Sequence, residues 1–285
     1  MGSGMKTFLV LLALALAIAI GALLIWRQSD HRADRAVWQR LSAGQPGRPD
    51  VFRPEMVADL PAPARRFFLF SIAPGTPLQD VVQIEMRGRF GMGTRSDPKY
   101  LDMTAQQVLA APNGFVWKMR AGRGMMRVSG SDTHEWTRFW VLGLLPVARA
   151  GGTEDHRRSA FARLVSEALF WSPAALLPGP GIEWREIDDK TAEVTMRHGG
   201  LEQTVRLGVA ENGQPTAVWM QRWSDANPEK TFRLQPFGGT LSEFRDFAGY
   251  RLATHVEAGN FFGTDDYFPF FVADVEDITF PAAPE

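Results

Sequence analysis

At 285 residues and 45% hydrophobic, the chain can bury a core of ordinary size, in one large domain or two small ones. A formal net charge of -1 argues against a nucleic-acid binder, which needs a basic face to displace phosphate counterions. The absence of cysteine excludes disulfides, thiol catalysis and a cysteine-linked lipid anchor.

Met1 to Gly4 reads as an addition ahead of a start at Met5, and residues 1–7 as a short tail. Phe8 to Trp26 is an uncharged run of 19 residues. At helical rise it spans about 30 Å, the thickness of a bilayer's hydrocarbon core. We read it as an uncleaved transmembrane helix. A signal peptide cut after Ala17-Ile18-Ala19 is the rival reading, and the continuation of the apolar run to Trp26 weighs against it. Arg27, Arg32, Arg35 and Arg40 follow the span while only Lys6 precedes it, a distribution that by the positive-inside rule points to a cytoplasmic domain. Residues 27–51 read as a polar helical stalk ending near Gly44, followed by a linker through Pro46, Gly47 and Pro49.

Residues 52–285 read as one β-rich domain. Ala64 to Ser71 is a short helix carrying Phe67, Phe68 and Phe70. Val82, Ile84, Met86, Gly88 and Phe90 alternate with Gln83, Glu85, Arg87 and Arg89, the pattern of a strand with one covered face. Shorter runs follow, bounded by Gly, Pro, Asn or Asp, and Gly88 to Gly93 reads as a hairpin tip. Thr153 to Leu177 is the one soluble helix of any length. Thr153 caps it, Glu154 and Asp155 occupy its first turn, and Phe161, Leu164, Val165, Ala168 and Leu169 form an apolar face opposite a wet one. Ser172 and Pro173 end it and start a further short turn. Runs from Ile182 to Phe280 resume the strand pattern, with a strong hairpin turn at Asn212-Gly213. The fold class is mainly β (α+β): a curved antiparallel sheet, or half barrel, with a helical plug, preceded by one N-terminal transmembrane helix.

The five histidines are scattered without metal-ligand spacing, there is no serine-nucleophile motif, and no cofactor motif stands in the required context. Metal and cofactor are therefore both expected to be none. His255 lies near Glu257, Asp265 and Asp266 in sequence, which offers the groups for a metal or acid–base site, and a strand histidine beside a polar loop is the simpler reading. Glu167, near the edge of the apolar stripe, and Arg149, at the end of an apolar segment, each need a partner if buried, and an Arg149–Glu167 pair would satisfy both. Asn260 to Phe271 places six aromatics among loop residues, which suits a lid or a membrane-touching loop as well as core packing.

The segments GFVW (Gly114 to Trp117), GLLPVARA (Gly143 to Ala150), EALFWSPAALLP (Glu167 to Pro178) and WREIDDKTAEV (Trp184 to Val194) resemble those of an uncharacterised bacterial family whose members often carry an N-terminal membrane segment. The resemblance implies signature positions at Arg149, Glu167, Trp171 and Pro178 without giving them a role. More loosely, the hairpin from Phe244 to Glu257 is similar to the later strands of periplasmic lipoprotein carriers of the LolA type. That similarity implies a bacterial envelope location, an extracytoplasmic domain on the inner membrane, and a curved sheet enclosing an apolar cavity.

The expected function is binding of a lipid-like or other hydrophobic small molecule between sheet and plug. Trp117, Phe139, Trp140, Arg149, Leu164, Glu167, Phe170 and Trp171 are the candidate ligand contacts. An enzyme of hydrolase or isomerase type in the same cavity, or a non-catalytic scaffold tethered to the membrane, are the alternatives.

Overall fold

The computed structural model describes residues 2–46 and 50–283. Helix α1 (Ser3–Ser42) leads to a short 3-10 turn (Pro54–Val57) and helix α2 (Ala62–Ser71). Six strands then meander outward: β1 (Val81–Gly91), β2 (Tyr100–Ala110), β3 (Gly114–Ala121), β4 (Val128–Thr133), β5 (Trp136–Val141) and β6 (Leu145–Gly151). Helix α3 (Glu154–Trp171) and a 3-10 turn (Pro173–Leu176) carry the chain across to the far edge. It returns through β7 (Ile182–Asp188), β8 (Thr191–His198), β9 (Leu201–Val209), β10 (Pro215–Ser224), β11 (Arg233–Phe247), β12 (Tyr250–Asn260) and β13 (Phe268–Thr279).

All thirteen strands belong to one antiparallel sheet, ordered β6-β5-β4-β3-β2-β1-β13-β12-β11-β10-β9-β8-β7. The first and last strands thus meet in the middle, and the edges are the two strands that α3 connects. A twisted sheet this wide curls, and α3 fills the trough. This is the expected half barrel with its plug.

The inner face of the sheet and the plug share one core. Val82, Ile84 and Met86 of β1, Leu109 of β2 and Phe115 of β3 join Phe161, Leu164, Val165, Ala168 and Leu169 of α3. Thr153 caps α3 as expected, its hydroxyl accepting from the His156 amide at 3.2 Å. The expected wet face is confined to the first turns: from Ala160 to Trp171 only Arg163 falls outside the fully buried class, so most of the helix is enclosed all round. The cause is the curl of the sheet, which brings β3 and β6 to one side of α3 and β9, β10 and β12 to the other.

A second core lies on the outer face, where the expected polar stalk proves to be a packed element. The C-terminal half of α1 lays Val37 and Leu41 on Val81, Val108, Ala110, Val116 and Trp136. Beyond the helix end, Gln45 pairs with the backbone of Val81, donating to its carbonyl at 3.1 Å and accepting from its amide at 3.0 Å. The linker residues Gly47 and Pro49 fall outside the described residues.

Several strands are longer than their sequence patterns imply. The apolar stretches Leu101 to Met103 and Val108 to Ala110 are two parts of β2, and Leu234 and the stretch Gly239 to Phe244 are joined in β11. Pro146 to Arg149, the end of the apolar segment before α3, is part of edge strand β6, where proline can sit without costing a ladder hydrogen bond. Of the expected hairpin tip Gly88 to Gly93, Gly88 to Gly91 lie inside β1 and Met92 and Gly93 enter the β1–β2 turn. The turn at Asn212-Gly213 is as expected: Gly213 has φ +91°, and the Asn212 side chain accepts from the Gln214 amide at 3.1 Å.

Candidate functional site

Strand alternation, interrupted opposite β13 by an irregularity between Ala258 and Asn260, sets which side chains reach the trough. Phe90 of β1, Leu101 of β2, Trp117 and Met119 of β3, and Phe139 and Val141 of β5 point inward on one side; Val218 of β10, Phe237 of β11, Val256 and Ala258 of β12, and Phe270 and Phe271 of β13 do so on the other. With Phe170 and Trp171 of α3 they enclose a cavity of about 680 Å³, within the range of small-molecule sites. The aromatics interlock: Trp117 meets Phe90, Phe139 and Phe271 at centroid distances of 6.0, 6.3 and 6.1 Å.

The plug side of the cavity is ionic. Arg163 donates from Nε to Glu167 at 2.6 Å, from Nη1 to Asp132 at 2.7 Å and from Nη2 to the Gln107 side-chain oxygen at 3.1 Å. Gln107 donates in turn to the other Glu167 oxygen, and Thr137 donates to the other Asp132 oxygen. The guanidinium also lies 4.6 Å from the Phe115 ring centroid and 5.2 Å from that of Trp117. Burial opposes its charge, but the carboxylates of Glu167 and Asp132 outweigh that and raise the Arg163 pKa above the ordinary arginine value. A second arginine, Arg222 of β10, enters from the opposite wall. Its Nε donates to the Ser159 carbonyl at 3.3 Å, and its guanidinium carbon lies 4.8 Å from the Phe237 ring centroid.

Of the eight expected contacts, Trp117, Phe139, Glu167, Phe170 and Trp171 line this cavity. Leu164 is buried in the shared core and contributes no cavity surface. Trp140 and Arg149 lie on the outer face, against α1. Arg149 donates to both oxygens of Asp30 at 2.8 and 3.0 Å, Arg138 to one at 3.2 Å, and Trp140 Nε1 to the other at 3.0 Å. The expected Arg149–Glu167 pair is therefore replaced by two separate clusters, one on each side of the sheet. Burial alone would raise the Asp30 pKa; the hydrogen bonds from Arg149 and Trp140 and the charges of Arg149 and Arg138 together hold it below the ordinary aspartate value. An open recess of about 840 Å³ beside this cluster is lined by Arg138, Arg149 and Arg157, each already paired with an acidic residue.

His255 points out of the sheet, away from the cavity that its neighbour Val256 lines. It pairs with Asp274 at 2.7 Å and Glu257 at 3.5 Å, and the Asp274 hydrogen bond leads the effects that raise its pKa. Asp265 and Asp266 are exposed in the β12–β13 loop and make no ion pair with it. Among the described residues no group of three potential ligands could hold a metal ion. Of the aromatic segment from Asn260 to Phe271, Phe268, Phe270 and Phe271 belong to β13, and the loop proper is residues 261–267.

A curled antiparallel sheet closed by one helix around an apolar cavity defines a half barrel with a helical plug. The chain belongs to the family of unknown function DUF6544, whose model matches residues 50–273. No curated protein matches the sequence. Among solved structures it is similar to a LolA superfamily protein from Nitrosomonas europaea, at 12% identity and TM-score 0.40 over 78% of this chain and 93% of that one. It is also similar to a putative outer membrane lipoprotein-sorting protein domain from Vibrio parahaemolyticus, at 9% identity and TM-score 0.36 over 72% and 87%.

Proposed function

We propose that this chain is a membrane-anchored binding protein for a lipid-like or other hydrophobic ligand, held between the curved sheet and α3. The observation that carries this reading is the cavity itself: about 680 Å³ of space walled by aromatic, aliphatic and methionine side chains inside an otherwise well-packed core. Interiors close-pack when nothing else is required of them, and an apolar void of this size forfeits dispersion energy that a bound ligand would restore.

The anchor supports the same reading. The N-terminal helix is long and apolar enough to cross a membrane, and its apolar part is not covered by the domain. Immediately after the span, Arg27 donates to the Gly143 carbonyl in the β5–β6 turn at 2.8 Å. The register of β1 to β6 places the β1–β2 and β3–β4 loops at this same end. Met92, Met126 and Val147, all exposed, line the cavity there, and Met125 and Leu145 are exposed beside them. The mouth of the cavity thus sits next to the end of the span, where an amphiphile leaving the bilayer would enter.

The test is a cavity-filling substitution. Full-length protein in nanodiscs should bind the neutral probe N-phenyl-1-naphthylamine saturably, and Ala258→Trp should weaken that binding by about tenfold or more with the melting temperature little changed. Absence of saturable binding, or equal affinity in the variant, would overturn the reading.

We further infer an extracytoplasmic domain, the side implied by the resemblance to periplasmic carriers. Arg27, Arg32, Arg35 and Arg40 weigh the other way by the charge rule. A C-terminal alkaline phosphatase fusion should be active in cells and a green fluorescent protein fusion dark; the opposite pair of results would put the domain in the cytoplasm.

A further inference from the structure

We propose that the ligand is an amphiphile with a compact anionic head group, a carboxylate or phosphate monoester, which enters head first and is held by Arg222. This rests on the binding role proposed above and adds a ligand class to it.

The charged groups of the plug side are unequal in what they leave free. Arg163 spends Nε, Nη1 and Nη2 on three separate acceptors. Both oxygens of Glu167 accept, one from Arg163 and one from Gln107, and both of Asp132 accept, one from Arg163 and one from Thr137. Arg222 differs: its Nε reaches a backbone carbonyl, and among the described residues no carboxylate lies within 4.0 Å and neither Nη nitrogen has a partner. The cavity therefore presents a free guanidinium fork and no free carboxylate. A cationic ligand would have to break the Arg163 cluster, whereas an anionic one meets two parallel N–H donors in the geometry that suits bidentate binding of carboxylate or phosphate.

Two further facts agree. Trp117 lines the same cavity, and its indole Nε1 is a further N–H buried without an acceptor. Burial first, and the charge of Arg163 second, push the Arg222 pKa down to about 10, against the pull of Asp132 and Glu167. Its positive charge is thus under-compensated where it stands, a condition that an anionic head would relieve. From Arg222 the apolar walls run to the rim at Met92 and Met126, which leaves an alkyl tail pointing to the mouth.

The experiment compares head groups on one tail. Full-length protein in zwitterionic-lipid nanodiscs is titrated with a dansyl-labelled long-chain carboxylate, its methyl ester and the corresponding alkyl phosphate, read by energy transfer from tryptophan with empty nanodiscs subtracted. The carboxylate or the phosphate should bind about tenfold tighter than the ester, and whichever is tighter identifies the head. Arg222→Gln should abolish that preference and leave ester affinity within about twofold, and Arg222→Lys should retain part of it. Equal binding of acid and ester by the wild type overturns the anionic assignment while leaving the binding role intact; binding of none of the three overturns both. Should Arg222→Gln fail to fold, the wild-type acid-to-ester ratio still decides. A variant that weakens acid and ester alike would reduce Arg222 to a structural role.

Discussion

Replacing Arg163 with alanine is expected to lower the unfolding free energy by roughly 3 to 5 kcal/mol, the scale for stripping one partner from a buried ion cluster. Arg163 is 15% exposed and Glu167 11%, so water does little to compensate for the loss. Asp132 and Glu167 would then face the same trough with only neutral donors at hydrogen-bonding distance. Denaturant melts of wild type and variant would measure the deficit. Lysine should not rescue the loss, because one ammonium cannot reproduce three donors at fixed angles to Glu167, Asp132 and Gln107. Replacing the whole cluster by Arg163→Met, Asp132→Asn and Glu167→Gln should recover much of the stability. A loss below about 1 kcal/mol in Arg163→Ala would mean that the cluster is solvated, contrary to its geometry.

Much of this architecture is written in local pattern. Thr153, the acidic first turn and the apolar spacing mark α3, and alternation marks β1, because both depend on neighbours in sequence. The site was legible only in part, for reasons that alternation itself explains. Phe139 and Trp140 are adjacent in β5, and alternation turns Trp140 to the outer face while Phe139 lines the cavity. Arg163 stands one helical turn before Glu167, a spacing that offered a nearer partner than Arg149. Asp132 and Arg222 come from strands on opposite sides of the plug, and only the sheet order brings them together. The docking of α1 did leave a trace: Asp30, Asp34, Val37 and Leu41 recur every three or four residues on one face. The two aspartates disguise that stripe, since buried acids appear apolar in neither composition nor moment; their partners are Arg149 for Asp30 and Ser131 for Asp34.

That stripe carries the second large effect. Asp30→Ala is expected to undock the first helix from the sheet and to cost about 2 to 3 kcal/mol of docking free energy, below the full range for a buried pair because Arg138 and Arg149 keep 26% and 29% exposure. Limited proteolysis at Arg32 and Arg35 should accelerate, while the sheet and plug, held by a separate core, should melt almost unchanged. Because Asp30 is held below its ordinary pKa, its contribution is present in full above that value and fades as pH falls through the lower, folded-state value. Docking should therefore weaken in wild type only below about pH 4, and Asp30→Ala should remove that pH dependence. Arg149→Ala in the Asp30→Ala background should cost much less than in wild type, since the two share one interaction. A consequence follows if the proposed anchor is right: with Asp30 intact, Trp26 packs edge-on to Trp140 at 5.5 Å and the β5–β6 turn is held at Arg27, so the cavity mouth would keep a fixed pose at the membrane. Undocked protein should still bind ligand added from solution, yet exchange ligand with its own bilayer more slowly, a difference that stopped-flow transfer from labelled vesicles would measure. Equal protease sensitivity and equal transfer rates in the two proteins would show that the helix serves only as a tether.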